Sequence, residues 1–322
     1  MRLLRKLIYP EVYQGRNKKI HYFEGWYFKH TSKDMKINFS IIPGVSFEKE
    51  KNHAFIQVII GPPFKSYCIP FKIEDFSYSD EPFKILIGKN TFGLTGITLD
   101  IDAEKLRLKG EIDYNKISRI RKTILQPNIM GFFAYFGFMQ CNHGVISLGH
   151  ELDGCIEVDG KQKNFTGGNG YIEKDWGNSF PKKYIWVQCN NFAENISLFA
   201  SVAHIPFLGR EFIGFISILK IEGEEYKFAT YNGTKLLRAN TEDDLVKIIF
   251  SKKKTRLEII AKIKEGLVLK APKEGVMENE ITETLEGVVE ISLYENEKLI
   301  KKAIGTNAGV ETVSFDNHTK DD

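Results

Sequence analysis

The stretch GYIEKDWGNSFPKKYIWVQCNNF, Gly170 to Phe192, decides how the chain is read. Alternation with a period of two puts Tyr171, Glu173 and Asp175 on one face of a first strand and Ile172, Lys174 and Trp176 on the other. On a second strand Tyr184, Trp186, Gln188 and Asn190 share a face. Between the two, Gly177 to Lys183 holds Gly, Asn, Ser and Pro, which supply positive φ, local hydrogen bonds and a fixed φ, so a turn is expected. A strand face made of Glu, Trp, Gln and Asn is a poor prescription for an apolar core, because a buried polar group without a partner costs about 1–3 kcal/mol. Such a face lines a cavity or a wet interface. The plainer reading keeps both indoles in the core and leaves Glu173, Lys174 and Asp175 as a solvated rim.

The same grammar recurs in HYFEGWYFKH, His21 to His30. Tyr22, Glu24, Trp26, Phe28 and His30 alternate with Phe23, Gly25, Tyr27 and Lys29, so one strand sets a carboxylate two residues from an indole. Period two also governs Leu106 to Ile112, Leu257 to Ile263 and Val289 to Leu293, each with one wet face. Turn signals at Gly61-Pro62, Asp153-Gly154, Asp159-Gly160, Glu222-Gly223 and Asn232-Gly233 are spaced for antiparallel strands. Helical signals are thin: Glu242 to Phe250 reads as a short helix or a strand, and Pro10 to Gln14 as a turn. Many short strands with very little helix predict an all-β chain of antiparallel barrels or sandwiches. A length of 322 residues suits two domains, divided near residue 180 into 1–180, carrying the FEGWYF and EKDWG motifs, and 181–322.

Composition excludes several functions. Forty-five Lys plus Arg against 42 Asp plus Glu is close to balance, which argues against nucleic acid as a partner. The four cysteines lack CxxC spacing, so neither a disulfide framework nor a zinc site is expected. Reduced thiols in a cytoplasm fit, and the apolar run Leu7 to Tyr9 is too short for a secretion signal. The richest apolar run, Ile129 to Met139, falls short of the ~20 residues needed to span a bilayer. Its Phe132, Phe133, Tyr135, Phe136 and Phe138 either fill the junction between two halves or make a peripheral membrane contact. Gly167, Gly168 and Gly170 precede a strand rather than a helix, so they read as a turn or bulge and not as a phosphate loop. His143 and His150 are seven apart and face opposite ways on a regular strand; a bulge, for instance at Gly149, would be needed for them to share a metal, and none is expected. Nothing in the sequence speaks to oligomeric state.

Five blocks together resemble the tocopherol cyclase family: FEGWYFK (Phe23 to Lys29), FSIIPGVS (Phe39 to Ser46), HAFIQVI (His53 to Ile59), HGVISLGHELDG (His143 to Gly154) and YIEKDWGNSFPKKYIWVQCN (Tyr171 to Asn190). The resemblance implies two lipocalin-like β-barrel halves side by side. It also implies the acid-catalysed closure of a chromanol ring on a prenylated hydroquinone or related lipophilic substrate, without a cofactor. An acid protonates the alkene and the phenolic oxygen attacks the tertiary cation. Such a site needs a carboxylic acid held neutral, aromatic faces for the cation and a dry chamber. Glu24, Glu173 and Asp175 are the candidate acids, the last two on one face and able to share a proton. Trp26, Tyr27, Trp176 and Trp186 are candidate aromatic walls, and His143, Gln188 and Asn190 candidate partners of the quinol hydroxyls. The same architecture would serve a non-catalytic carrier or sensor of a hydrophobic molecule, or a hydratase in which water captures the cation.

Overall fold

The computed structural model describes residues 2–48, 51–315 and 318–319. A short helix, α1 (Arg2–Ile8), precedes described residues that are mostly strand, apart from a long irregular segment between Tyr114 and Cys141 that holds the 3₁₀ turn Gly131–Tyr135. It divides into two compact units, Met1–Phe180 with Leu269–Glu280, and Pro181–Val268 with Ile281–Asp322.

In the first unit β1 (Tyr22–Thr31), β2 (Asn38–Phe47), β3 (His53–Gly61) and β4 (Lys65–Lys72) pair in sequence. So do β5 (Phe76–Asp80), β6 (Phe83–Ile87), β7 (Asn90–Gly93), β8 (Gly96–Ala103), β9 (Leu106–Tyr114) and β10 (Cys141–Val158). β11 (Lys161–Asn164) pairs with the end of β10, and β12 (Asn169–Gly177) lies between β10 and β1. The sheet's two ends, β4 and β5, are therefore consecutive in the chain, joined by the 3₁₀ turn Ile73–Asp75. Three residues reach at most about 11 Å, so these edges lie close and the sheet curls around its core. Trp26, Phe28, Phe39, Ile41, Phe92 and Ile172 are among the side chains that fill it.

The second unit repeats the plan. β13 (Tyr184–Cys189), β14 (Ile196–Phe207), β15 (Arg210–Ile221) and β16 (Glu224–Ala229) pair in sequence, as do β17 (Lys235–Glu242), β18 (Leu245–Lys252) and β19 (Thr255–Lys262). β20 (Leu267–Lys273) pairs with β21 (Val276–Glu295), which pairs with both β19 and β22 (Lys298–Val313); β23 (His318–Thr319) lies beside β17. Again the first strand pairs with a late one, β13 with β22, and again two strands consecutive in the chain, β16 and β17, end up far apart in the pairing order. The chain thus has two lipocalin-like antiparallel β domains.

Several local expectations are corrected. Gly177–Lys183, read as a turn, is an irregular connection between β12 and β13, which belong to different sheets. Asp153-Gly154 makes no turn either: it lies within β10, where Gly154 has φ +133° in tight contact with the β9 backbone. Of the two readings left open for Glu242 to Phe250, the structure takes the strand, with a turn at Asp243-Asp244. The tip Leu269–Glu280, expected with the second half, clusters with the first unit. There Gln57 exchanges two bonds with Lys270 (Nε2 to O, 2.9 Å; N to Oε1, 2.7 Å) and Ser46 Oγ donates to Gly275 O at 2.6 Å.

Candidate active site

The pairing of β1 with β12 sets Trp26 opposite Lys174, Tyr27 opposite Glu173 and Gly25 opposite Asp175. Side chains at paired positions share a face. One face therefore carries Glu24, Trp26, Lys174 and Trp176, and the other Tyr27, Tyr171, Glu173 and Asp175.

The first face points into the core. Glu24 and Lys174 are fully buried, and Lys174 Nζ lies 2.5 Å from Glu24 Oε1. The ammonium also donates to Pro10 O (2.8 Å) and Val12 O (2.7 Å), and stands 4.7 and 4.9 Å from the ring centroids of Trp26 and Trp176. Glu24 accepts from Gln14 N (2.8 Å), Gly15 N (2.8 Å) and the Tyr22 hydroxyl (2.5 Å). Burial draws Lys174 down to about 8, a fall limited by Glu24. With three acceptors around it, Lys174 uses three N–H groups and is an ammonium at neutral pH. Trp26 Nε1 donates to Glu11 O at 2.7 Å, and Arg119 pairs with Glu11 at 2.5 Å. These contacts fasten Pro10–Gly15 across the first unit. Glu24, expected as a proton donor, lies in the core with Lys174 Nζ 2.5 Å from its Oε1. Trp26 and Trp176, expected as walls for a substrate cation, flank the protein's own cation.

The second face carries a cluster of titratable side chains around His143. His143 on β10 pairs with Asp175 across the strands, and its Nδ1 donates to Asp175 Oδ1 at 2.8 Å. Its Nε2 lies 3.4 Å from Glu173 Oε2, which accepts from the Tyr171 hydroxyl at 2.6 Å. Tyr27, opposite Glu173, shares this face and is buried. Burial opposes charge on His143, but Asp175 and Glu173 outweigh it and hold the imidazolium at about 10. Burial and Glu173 push the Tyr171 hydroxyl well above the ordinary range, and burial and Asp175 do the same to the Cys141 thiol, whose Sγ lies 3.9 Å from Asp175 Oδ1. The His143 ring thus stands between two acidic side chains, one ring nitrogen facing each. His143 stands between Glu173 and Asp175, the pair read from sequence as able to share a proton. Ligand atoms of His143, Glu173 and Asp175 also lie within 4.8 Å of one another, a set that fits a metal ion and that was not expected from sequence.

Trp186, Gln188 and Asn190 lie in the second unit. Ile185, Val187 and Cys189 face its core, so Tyr184, Trp186 and Gln188 take the opposite face. Trp186 pairs with Glu311 and Glu311 with Glu283, which sets one indole and two buried carboxyl side chains in a row across three strands. The indole lies over Gly309, where a Cβ would sit 2.6 Å from the ring and 3.6 Å from Glu283 Oε1. Gln188 Nε2 donates to Asn190 Oδ1 at 3.2 Å. No motif announces Glu283 or Glu311; register alone places them.

His150 lies apart from His143. Two extra residues in β10 between Val145 and His150 leave the two histidines on opposite faces. His150 flanks Gly170, with His30 on the other side, and Tyr114 bridges the two: its hydroxyl is 2.7 Å from His30 Nε2 and its ring centroid 4.4 Å from that of His150. Burial draws both rings down to about 3, so both are neutral at neutral pH.

The chain matches the family described as "Tocopherol cyclase-like" over residues 121–313, more than half its length. It is 33% identical over 120 residues to the Oryza sativa subsp. japonica protein named "Probable tocopherol cyclase, chloroplastic", 35% of this chain and 25% of that protein. It is 36% identical over 67 residues to the Zea mays "Tocopherol cyclase, chloroplastic", 21% of this chain and 14% of that protein. The matched part spans a quarter or less of these plant proteins. Among solved structures, CghA with Sch210972 superposes with a TM-score of 0.57 at 9% identity, covering 91% of this chain and 88% of that one. Kievitone hydratase from Nectria haematococca superposes with a TM-score of 0.52 at 10% identity, covering 91% and 89%. On the residues it shares with that family, this chain belongs to the tocopherol cyclase-like proteins.

Proposed function

We propose that the chain is a cyclase that closes an oxygen ring on a lipophilic phenol carrying an alkene, with a prenylated hydroquinone as the representative substrate. The observation that carries this reading is the imidazolium of His143 held between Glu173 and Asp175, with Tyr171 on the far side of Glu173. Ring closure is an isomerisation, so its proton balance is zero. One proton goes to an alkene carbon as the π pair forms the new C–H bond, and one leaves the phenol as its oxygen forms the C–O bond. A cluster that holds one movable proton can lend it and recover it in a single turnover.

His143 at about 10 is a weak acid while both carboxylates face it. A phenol that donates to Glu173 withdraws part of that stabilisation and sharpens the acid at the moment of need. Asp175 orients the ring through Nδ1, so Nε2 is the nitrogen that exchanges its proton with Glu173 or substrate. No redox step enters this scheme. Capture of the cation by water would give the hydrated product, a course that the shared fold of kievitone hydratase brings to mind without supporting. The test is turnover of a prenyl hydroquinone with products separated by mass. Glu173→Gln and His143→Gln should each lower kcat by about 10²-fold or more. Wild-type turnover in both removes the mechanism; a product heavier by one water makes the chain a hydratase, and a ligand retained unchanged makes it a carrier.

A further inference from the structure

The segment between β9 and β10 builds an apolar spike that nothing in the proposed chemistry uses. Thr123 and Gln126 exchange backbone bonds (N to O, 3.0 and 3.1 Å), so Ile124 and Leu125 form the tip of a two-residue turn. They are 87% and 75% exposed. Turn tips ordinarily carry Gly, Asn or Asp, and two large aliphatic side chains there are costly in water. The Tyr135 hydroxyl donates to Ile124 O at 2.6 Å, which ties the tip to the 3₁₀ segment Gly131–Tyr135. Beside it Phe132, Tyr135 and Phe138 are exposed, with Phe132 stacked on Phe133 at 4.5 Å and Phe136 on Phe138 at 5.5 Å.

The base is firm. Pro127, Asn128 and Ile129 are buried, Asn128 Nδ2 donates to Leu7 O at 3.0 Å, and Lys122 Nζ donates to Ile8 O. Charge singles out the same segment: no Asp or Glu occurs between Asp113 and Glu151, while Lys116, Arg119, Arg121 and Lys122 do. Arg119 is taken by Glu11, and Lys116 and Arg121 are exposed.

We propose that Ile124, Leu125, Phe132, Tyr135 and Phe138 dock the chain on an anionic lipid bilayer surface. A convex tip fits a deformable apolar phase, and an acid-free basic flank suits anionic headgroups. This surface is independent of the proton cluster, and its test reads no activity. The full chain is floated with vesicles of phosphatidylcholine, alone or with phosphatidylglycerol, in about 0.15 M salt. The expected result is flotation with the anionic vesicles. Ile124→Ser with Leu125→Ser should lower partitioning by about tenfold or more, and Lys116→Gln with Arg121→Gln should weaken binding to the anionic vesicles only. Circular dichroism checks that both variants fold. Absence of flotation, or flotation unchanged by the tip variant, overturns the proposal. So does light scattering that shows a dimer lost with the tip variant, which would mean that the tip pairs copies of the chain.

Discussion

Removing the Lys174 ammonium tests whether the inner face is an anchor rather than a catalyst. In Lys174→Met the side chain keeps its length and apolar stem, while Glu24 loses its counter-ion and Pro10 and Val12 lose their donor. Breaking a buried ion pair from one side costs about 3–5 kcal/mol. Glu24 keeps Gln14 N, Gly15 N and the Tyr22 hydroxyl, which places the expected loss at the lower end, about 3 kcal/mol. For a unit of this size each kcal/mol moves Tm by roughly 2–4 °C, so a fall of about 6–12 °C is expected.

The assay is thermal unfolding by tryptophan fluorescence, which reports the first unit through Trp26 and Trp176, together with hydrogen exchange at Gln14 and Gly15. Their amides should lose protection well below the unfolding temperature, because the carboxylate that holds them is no longer fixed. Adding Glu24→Gln to Lys174→Met should recover about 1 kcal/mol or more of the loss, the mark of a coupled pair. A loss under about 1 kcal/mol, with both amides still protected, would refute the anchoring role.

Glu24→Gln, once folded, should keep the wild-type pH–rate profile, while Glu173→Gln should shift or abolish its alkaline limb; the reverse pattern would return the acid to the inner face. His143 at about 10, against an ordinary 6.5, binds its proton more tightly folded than unfolded. Its stabilisation is complete below pH 6.5 and fades as pH rises through 10. Lys174, drawn down from 10.5 to about 8, contributes the opposite slope between those values, and His30 and His150 slope upward near 6.5, so the difference between wild type and His143→Gln isolates His143. Urea unfolding between pH 6.5 and 8 should show the wild type losing stability with rising pH relative to His143→Gln; a constant difference would refute the shift. His30 and His150, drawn down to about 3, contribute stability above pH 6.5 that is lost as pH falls towards 3; NMR should find both rings neutral until the first unit unfolds, and a ring titrating near 6.5 in the folded chain would contradict the packing. Gly309→Ala pushes a methyl to 2.6 Å from the Trp186 indole and should cost the second unit about 1–3 kcal/mol with a shift in Trp186 emission.

Alternation alone separated Tyr171, Glu173 and Asp175 from Lys174, and the structure keeps that separation because β12 is regular against β1. Alternation says nothing of what lies beyond a strand's own neighbours. The backbone donors that hold the Glu24 side chain come from Gln14 and Gly15, a segment with little periodicity of its own. His143 reaches Asp175 across 32 residues, and only strand pairing brings them together. The closure of each unit by its first strand and a late one was equally invisible, since pairing order is not written in hydrophobic pattern. Glu283 and Glu311 stayed hidden for the same reason: a Glu in a strand reads as a solvent-facing residue until its neighbours are known.

Register assigns opposite charges to opposite sides of the sheet that β1 and β12 share. The run Glu173-Lys174-Asp175 would neutralise itself in a loop. On a strand it is split: the ammonium goes inward, where Glu24, two carbonyls and two indoles satisfy it, and the carboxylates go outward to a histidine. A slip of one residue would put two carboxylates against Trp26 and Phe28 and leave the lysine beside His143, reversing every preference at once. The inner pair therefore acts on the outer cluster without touching it. By favouring the register in which Lys174 finds its acceptors, it keeps Glu173 and Asp175 against the imidazole of His143.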